Sequence, residues 1–408
     1  MMYHSLSVLN YQGSKKNLIP FIHSHADIPK GETILDIFSG TCSVGYSFKE
    51  RNRIFANDCE KYSYIISQAL LGNYPPLPHG FMDNIKLAFE ANMEQITHMY
   101  PDTLAAEASI LQKGTAEAVS EFYSAVPTVW NGGVSRGTDL YDLFLRYYSG
   151  SYFGVRQASE IDSIRFAIEP AKNTNLFAPL MTALYYAMKE CVFAKDGHMA
   201  QPLDPRKNFS KLLKQRGKSV FPLFESKFLA FFSDDFVSSV YDNRSYNLNF
   251  EDLLSINDIQ SEVDWIYADP PYTDMQYSRY YHILNFITQY EPLPMTVLKG
   301  TYTKGLYTEG RYQSKLSNRS KCLETFTSLV DFARNYRKNL IISFAYPADT
   351  TKQKTDRYVM NIDDLIASCT NRFGMGGVDV HSCEYSHTNN RNSKQKKVFE
   401  YLIVCRSN

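Results

Sequence analysis

Short apolar runs that stop abruptly at Ser, Gly, Asp or Pro alternate along this chain with longer stretches of helical spacing. Residues 33–38 (TILDIF) form the first run and end at Ser39-Gly40. A helix is predicted over 44–50. A second run, 53–57 (RIFAN), ends at Asp58, and 62–71 reads as another helix. Strand, turn, helix, strand and helix in such quick succession predict a parallel α/β sheet. Residues 265–268 (WIYA), 339–344 (NLIISF) and 398–405 (VFEYLIVC) supply three more apolar strands, and 378–381 (VDVH) a shorter one. The WIYA run breaks at Asp269-Pro270-Pro271-Tyr272. Proline donates nothing to a sheet ladder and fixes its own backbone angle, so the strand must end there.

Between 75 and 232 the pattern changes. The proline-rich 75–80 (PPLPHG) marks a boundary, and helical spacing follows at 85–100, 104–123 and 179–192. A polar, glycine-rich piece, 130–139 (WNGGVSRGTD), lies between them. The expected layout is a catalytic domain formed by 1–75 and 233–408, interrupted by a mostly helical insertion at 76–232.

Composition narrows the class. Hydrophobic residues make up 44% and charged residues 21%, as in ordinary globular proteins. No apolar run is long enough to cross a bilayer, and the first residues lack the plan of a secretory signal. The seven cysteines are scattered without metal-ligand spacing, so the expectation is a reduced, cytoplasmic protein without a metal. Net charge is zero, yet its distribution is uneven. Residues 299–338 carry nine Lys or Arg against three acids, and 234–264 carry eight acids against one Arg. A neutral protein can still turn a basic face to phosphates, and the Tyr-, Lys- and Arg-rich loop at 299–325 is the expected site of such contact.

The chemistry sits at strand ends, where open parallel sheets bind their ligands. Gly40 permits a tight turn after the first strand. Asp58 follows Asp36 by 22 residues, the spacing of an acid that accepts from ribose hydroxyls. Neither G-x-G-x-x-G nor a phosphate-cradling GxxxxGK[ST] is present.

Together these segments resemble the Dam-like adenine-N6 DNA methyltransferases. DPPY (269–272) is similar to that family's catalytic motif. NYQGSKKNLIPFI (10–22), with Tyr11, Gly13 and Lys15, resembles its N-terminal segment over the methionine end of the cofactor. LDIFSGTCSVG (35–45), with Asp36, Phe38, Gly40 and Thr41, resembles the loop that borders the cofactor. Asp58 falls on the ribose-binding acid. NLNFEDLL (247–254), with Asn249 and Phe250, is similar to the segment that meets the cofactor adenine. Two positions depart: Cys42 stands where the family has glycine, and Asn249 where it has Asp. The resemblance implies a Rossmann-like class I methyltransferase sheet, S-adenosylmethionine as cofactor, and the insertion as a target-recognition domain. It also implies double-stranded DNA as substrate, with a cognate restriction endonuclease as a partner to look for.

In such an enzyme the Asp269 carboxylate and the Pro270 carbonyl would accept the two N–H bonds of an adenine amine, and Pro271 would stiffen the loop. Tyr272 offers a flat face for an extruded base, or an ordinary packed ring. Phe38 is equally placed to stack on the cofactor or to join the core. RNA adenine, the N4 amine of cytosine in DNA, and a non-catalytic binding role remain alternatives at this level.

Overall fold

The computed structural model describes residues 8–9, 15–126, 140–195, 198–274, 276–347, 358–387 and 396–407. Its frame is a seven-stranded sheet. The strands are β1 (Thr33–Asp36), β2 (Arg53–Asn57), β3 (Arg244–Tyr246), β4 (Trp265–Ala268), β7 (Asn339–Pro347), β8 (Val378–His387) and β9 (Lys396–Cys405). A separate two-stranded ribbon is made by β5 (Val297–Leu298) and β6 (Thr301–Tyr302). The order in the sheet is β3-β2-β1-β4-β7-β9-β8. The first five strands run parallel, whereas β9 is antiparallel to both β7 and β8. The parallel α/β sheet that the pattern predicted is present, with the Rossmann-like form that the resemblance implied.

The strands read as unbroken apolar runs because both faces are covered. Side chains alternate between two cores. Ile34, Ile54, Trp265 and Ile341 pack on one side with the helix Lys61–Leu71 and the helices of 76–232. Leu35, Phe55, Ile266 and Leu340 pack on the other with the helices Arg319–Asn335 and Ile362–Phe373.

Chain order reverses between β1 and β4, so the loops after these strands splay apart and leave a crevice at their carboxyl ends. The chain leaves the sheet after Leu71 and returns to it at Arg244, and the two crossings are stitched together. Asn73 donates to the Ser239 carbonyl at 2.7 Å and accepts from the Ser239 N–H at 3.0 Å. Lys49 Nζ, fully buried, donates to the carbonyls of Gly72 and Val237 at 2.7 Å each.

Several elements depart from the sequence pattern. The helix predicted over 104–123 is two, Pro101–Lys113 and Ala116–Ala125, because Thr115 turns the chain and caps the second. β8 extends to His387 and had been legible only to 381. β3 was not predicted. The 299–325 segment is only partly loop, since β6 opens it and the helix from Arg319 closes it. The glycine-rich 130–139 lies outside the described residues.

Candidate active site

The loop after β1 turns through two left-handed residues, Gly40 (φ 51°) and Cys42 (φ 54°). Gly40 tolerates this geometry, while at Cys42 the side chain costs roughly 1–2 kcal/mol. The glycine expected at position 42 would avoid that cost. Gly45 is closely packed: a Cβ there would stand 3.1 Å from both Cys42 Sγ and Ile54 Cγ2, so those side chains would have to give by a few tenths of an ångström. The turn delivers the Gly45 N–H to Asp36 Oδ2 at 3.2 Å. It also delivers the Gly40 N–H to Asp58 Oδ2 at 2.9 Å. Asp58 Oδ1 accepts from the Glu60 N–H at 2.9 Å, so each oxygen is oriented by one amide, with the Cys59 and Ser63 side chains beside the same carboxylate.

After β4 the Asp-Pro-Pro tip places Asp269 where two clefts meet. A larger cleft of about 800 Å³, open to solvent, is lined by Phe38, Asp58, Asn249, Phe250, Pro270 and Pro271, with Glu60, Gln276, Ser278 and Tyr312 beside them. A smaller cleft of about 310 Å³ is lined by Lys15, Asp36, Gly40 and Thr41, with Ser39 and Tyr267. Phe38 and Asp269 belong to both. Phe38 and Phe250 meet edge to face, with centroids 5.7 Å apart.

Lys15 is 5% exposed, and its ammonium sits between two carboxylates. Asp269 Oδ1 is 2.9 Å away and Glu400 Oε1 3.0 Å away. Ser343 on β7 donates to Glu400 Oε1 at 2.6 Å. Among the described residues, Lys15 is the one partner of the Asp269 carboxylate, and Oδ2 has none.

The charges shift one another accordingly. Burial alone would lower the Lys15 pKa, but Asp269 and Glu400 hold it well above the usual lysine range. Burial pushes Asp269 up to about 7, against the pull of Lys15 and with a further push from Glu400. Burial likewise lifts Asp36 and Glu60 to about 7 and raises Asp58.

Most residues singled out from the sequence thus converge, but some do not. Tyr11 and Gly13 lie outside the described residues. Tyr272 lines neither cleft. Its ring meets Phe344 edge-on and has the Lys15 ammonium 5.5 Å from its centre. Asn249 borders the larger cleft, yet its amide oxygen caps the helix Phe250–Leu254 through the Asp252 N–H, at 2.9 Å. Its amide nitrogen donates to Asp252 Oδ2 at 2.6 Å. Glu400, Ser343 and Glu60 had not been foreseen.

The basic segment is fastened across the larger cleft. Gln276 Oε1 accepts from the Ser314 N–H at 3.0 Å, Lys315 pairs with Glu251 at 2.9 Å, and Arg319 with Asp274 at 3.6 Å.

A model of the D12 class N6 adenine-specific DNA methyltransferase family matches residues 11–339. The chain belongs to that family. Its seven-stranded, mostly parallel sheet is a class I methyltransferase fold. Among curated relatives, it is 25% identical to "Modification methylase LlaI" of Lactococcus lactis subsp. lactis, over 98% of this chain and 55% of the relative. It is 23% identical to "Modification methylase StsI" of Streptococcus sanguinis, over 97% of this chain and 51% of the relative. It is 24% identical to "Type II methyltransferase M.NlaIII" of Neisseria lactamica, over 97% of this chain and 98% of the relative. The chain thus spans about half the length of the first two. Among the described residues, no helix is long and apolar enough to cross a membrane, and no cluster of His, Cys, Asp or Glu has the makings of a metal site.

Proposed function

We propose that this chain transfers a methyl group from S-adenosylmethionine to the N6 amine of adenine in double-stranded DNA. The observation that carries the proposal is Asp269, presented at the junction of two clefts with one carboxylate oxygen unpaired among the described residues. The cleft residues fit the cofactor. Phe38 and Phe250 offer aromatic edges to an adenine, and Asp58 offers a carboxylate to ribose hydroxyls. Lys15, Asp36 and Thr41 give the smaller cleft the polar lining an amino-acid end needs. The buried Ser39 hydroxyl beside them has no hydrogen-bond partner among the described residues, and a bound polar group would supply one.

When bound, S-adenosylmethionine supplies an electrophilic methyl on a cationic sulfur that leaves as a neutral thioether. The protein's part is to position and stabilise. An exocyclic adenine amine is a weak nucleophile because its lone pair is delocalised into the ring. Asp269 Oδ2 and the Pro270 carbonyl accept its two N–H bonds and favour the pyramidal nitrogen of the transition state. Positive charge grows on that nitrogen as the new bond forms, and the ionised Asp269 stabilises it. The nitrogen then gives up a proton, which the same carboxylate can accept. The base must leave the duplex to arrive there. Tyr312 and Gln276 line the wall it would pass, and the lysines and arginines of 299–325 suit the flanking phosphates.

The helical 76–232 segment is assigned to target recognition, because it leaves and rejoins the sheet at one point. The chain is read as the cytoplasmic modification partner of a restriction endonuclease. Incubation with labelled cofactor and duplex DNA, followed by nucleoside analysis, tests the assignment. N6-methyladenine confined to one sequence context is expected. Label on RNA alone, or on cytosine, would overturn it.

A further inference from the structure

A glutamate in the middle of β9 calls for an explanation. β9 is an interior strand, paired on both sides, and Glu400 is 2% exposed. Its neighbours two residues away on the same face are the buried Val398 and Leu402. A third apolar residue would serve packing better, since an ionised carboxylate is costly to bury. Nor is Glu400 needed to neutralise a stray cation. Lys15 already faces Asp269, and that pair is neutral by itself. Adding Glu400 gives the cluster two acids and one base, hence a net negative charge. Burying an extra charge beside a satisfied pair makes sense where that charge is used.

The register shows how the arrangement is built. Ser343 pairs with Leu402 and Ala345 with Glu400, so Ser343 and Glu400 are diagonal neighbours on one face of the β7–β9 ladder. The Ser343 hydroxyl fixes Glu400 Oε1 at 2.6 Å, and that same oxygen holds the Lys15 ammonium at 3.0 Å.

We propose that Glu400, braced by Ser343, is a positioning residue that acts on the methyl-transfer step through Lys15. It holds the ammonium against Oδ1 of Asp269 alone, which leaves Oδ2 for the substrate amine. It also shares the positive charge of Lys15, so that Asp269 remains a strong acceptor and the cluster stays negative as the amine nitrogen becomes cationic. Without Glu400 the ammonium would be free to swing across both oxygens of Asp269 and compete with substrate. The inference rests on the adenine methyltransferase assignment and adds to it a residue on the last strand, beyond the span matched by the family.

The test compares Glu400→Gln and Glu400→Asp with the unaltered chain, following single-turnover rate against pH, cofactor affinity and unfolding. Glu400→Gln keeps the shape and removes the charge. It is expected to slow transfer about tenfold or more, with cofactor affinity within about twofold. Its rate is also expected to reach its plateau at lower pH, because Asp269 loses a negative neighbour and gains the undivided attraction of Lys15. Glu400→Asp should move the pH profile back towards that of the unaltered chain. An unchanged rate, or a slower rate with an unmoved profile, would overturn the proposal and leave Glu400 a structural residue. If Glu400→Gln fails to fold, the Glu400→Asp and Ser343→Ala profiles decide by the same criterion. Absence of adenine methylation by the unaltered chain would instead count against the assignment itself.

Discussion

Replacing Asp269 by Ala removes one carboxylate and leaves Lys15 paired with Glu400 at 3.0 Å, so no charge is stranded. The fold should therefore survive, and the loss should fall on chemistry. Transfer is expected to drop about a thousandfold or more, the scale of losing a preorganised electrostatic partner, while cofactor affinity changes severalfold at most. Activity near normal in Asp269→Ala would defeat the mechanism. Asp58→Ala predicts the opposite division. It deprives the Gly40 and Glu60 amides of their acceptor, loosening the turn after β1. Calorimetric titration should show cofactor affinity weakened about tenfold or more, and an unchanged affinity would remove Asp58 from the site. Both acids stood out in the sequence because each closes an apolar strand, Asp58 at 22 residues from Asp36 and Asp269 just ahead of two prolines. Asn249 shows where residue-level reading stops. Its amide is tied to Asp252 three positions on, an N-cap relation visible in NFED but outweighed by the motif around it. Glu400 left a plainer trace, a lone charge inside VFEYLIVC. What could not be read was its partner, because Lys15 and Glu400 are brought together only by the fold.

At the scale of elements, legibility tracked burial. β1, β2, β4, β7 and β9 are covered on both faces and announce themselves as apolar runs. β3 (RSY) is a half-buried, three-residue edge strand, too short and too polar for any periodicity to register. The helix Val155–Ile168 is buried all round, so it lacks the one-sided stripe that marks a surface helix. The clamp beside the expected boundary at 75–80 was invisible for another reason: it depends on a lysine that looks like any other. Lys49 closes the short helix Ser43–Phe48 and clamps Gly72 and Val237. Burial lowers its pKa to about 7, and the neutral amine keeps two N–H bonds, one for each carbonyl. In the unfolded chain the same group titrates near an ordinary lysine value. Between these values the unfolded state binds the extra proton, so this group makes stability rise with pH from about 7 to about 10. Lys49→Met should flatten that part of the curve. It should also cost about 2–5 kcal/mol in denaturant unfolding, because two buried carbonyls lose their donor. A variant with unaltered stability and slope would show that the clamp is idle.

The molecule as a whole is neutral, yet its cleft is not. Asp36, Asp58, Glu60 and Asp269 gather there, and among the described residues lining the two clefts Lys15 is the one cation. Burial holds three of these carboxyls, Asp36, Glu60 and Asp269, at about 7, above their unfolded values of roughly 4. Between about 4 and 7 the folded state binds more protons than the unfolded one, so these groups lower stability as pH rises through that window. A cleft that prefers to stay protonated is one that a cationic ligand can switch. A sulfonium favours the ionised carboxylates, so its arrival should expel protons, and its affinity should strengthen as pH is raised from 6 to 8. Loss of the positive charge should abolish this dependence. S-adenosylmethionine and its neutral thioether product, titrated at pH 6 and pH 8 in two buffers of different ionisation enthalpy, provide the comparison. The expected result is proton release and pH-dependent affinity for the sulfonium, with little of either for the thioether. Equal behaviour of the two ligands would show that the raised carboxyls do not sense the reacting centre.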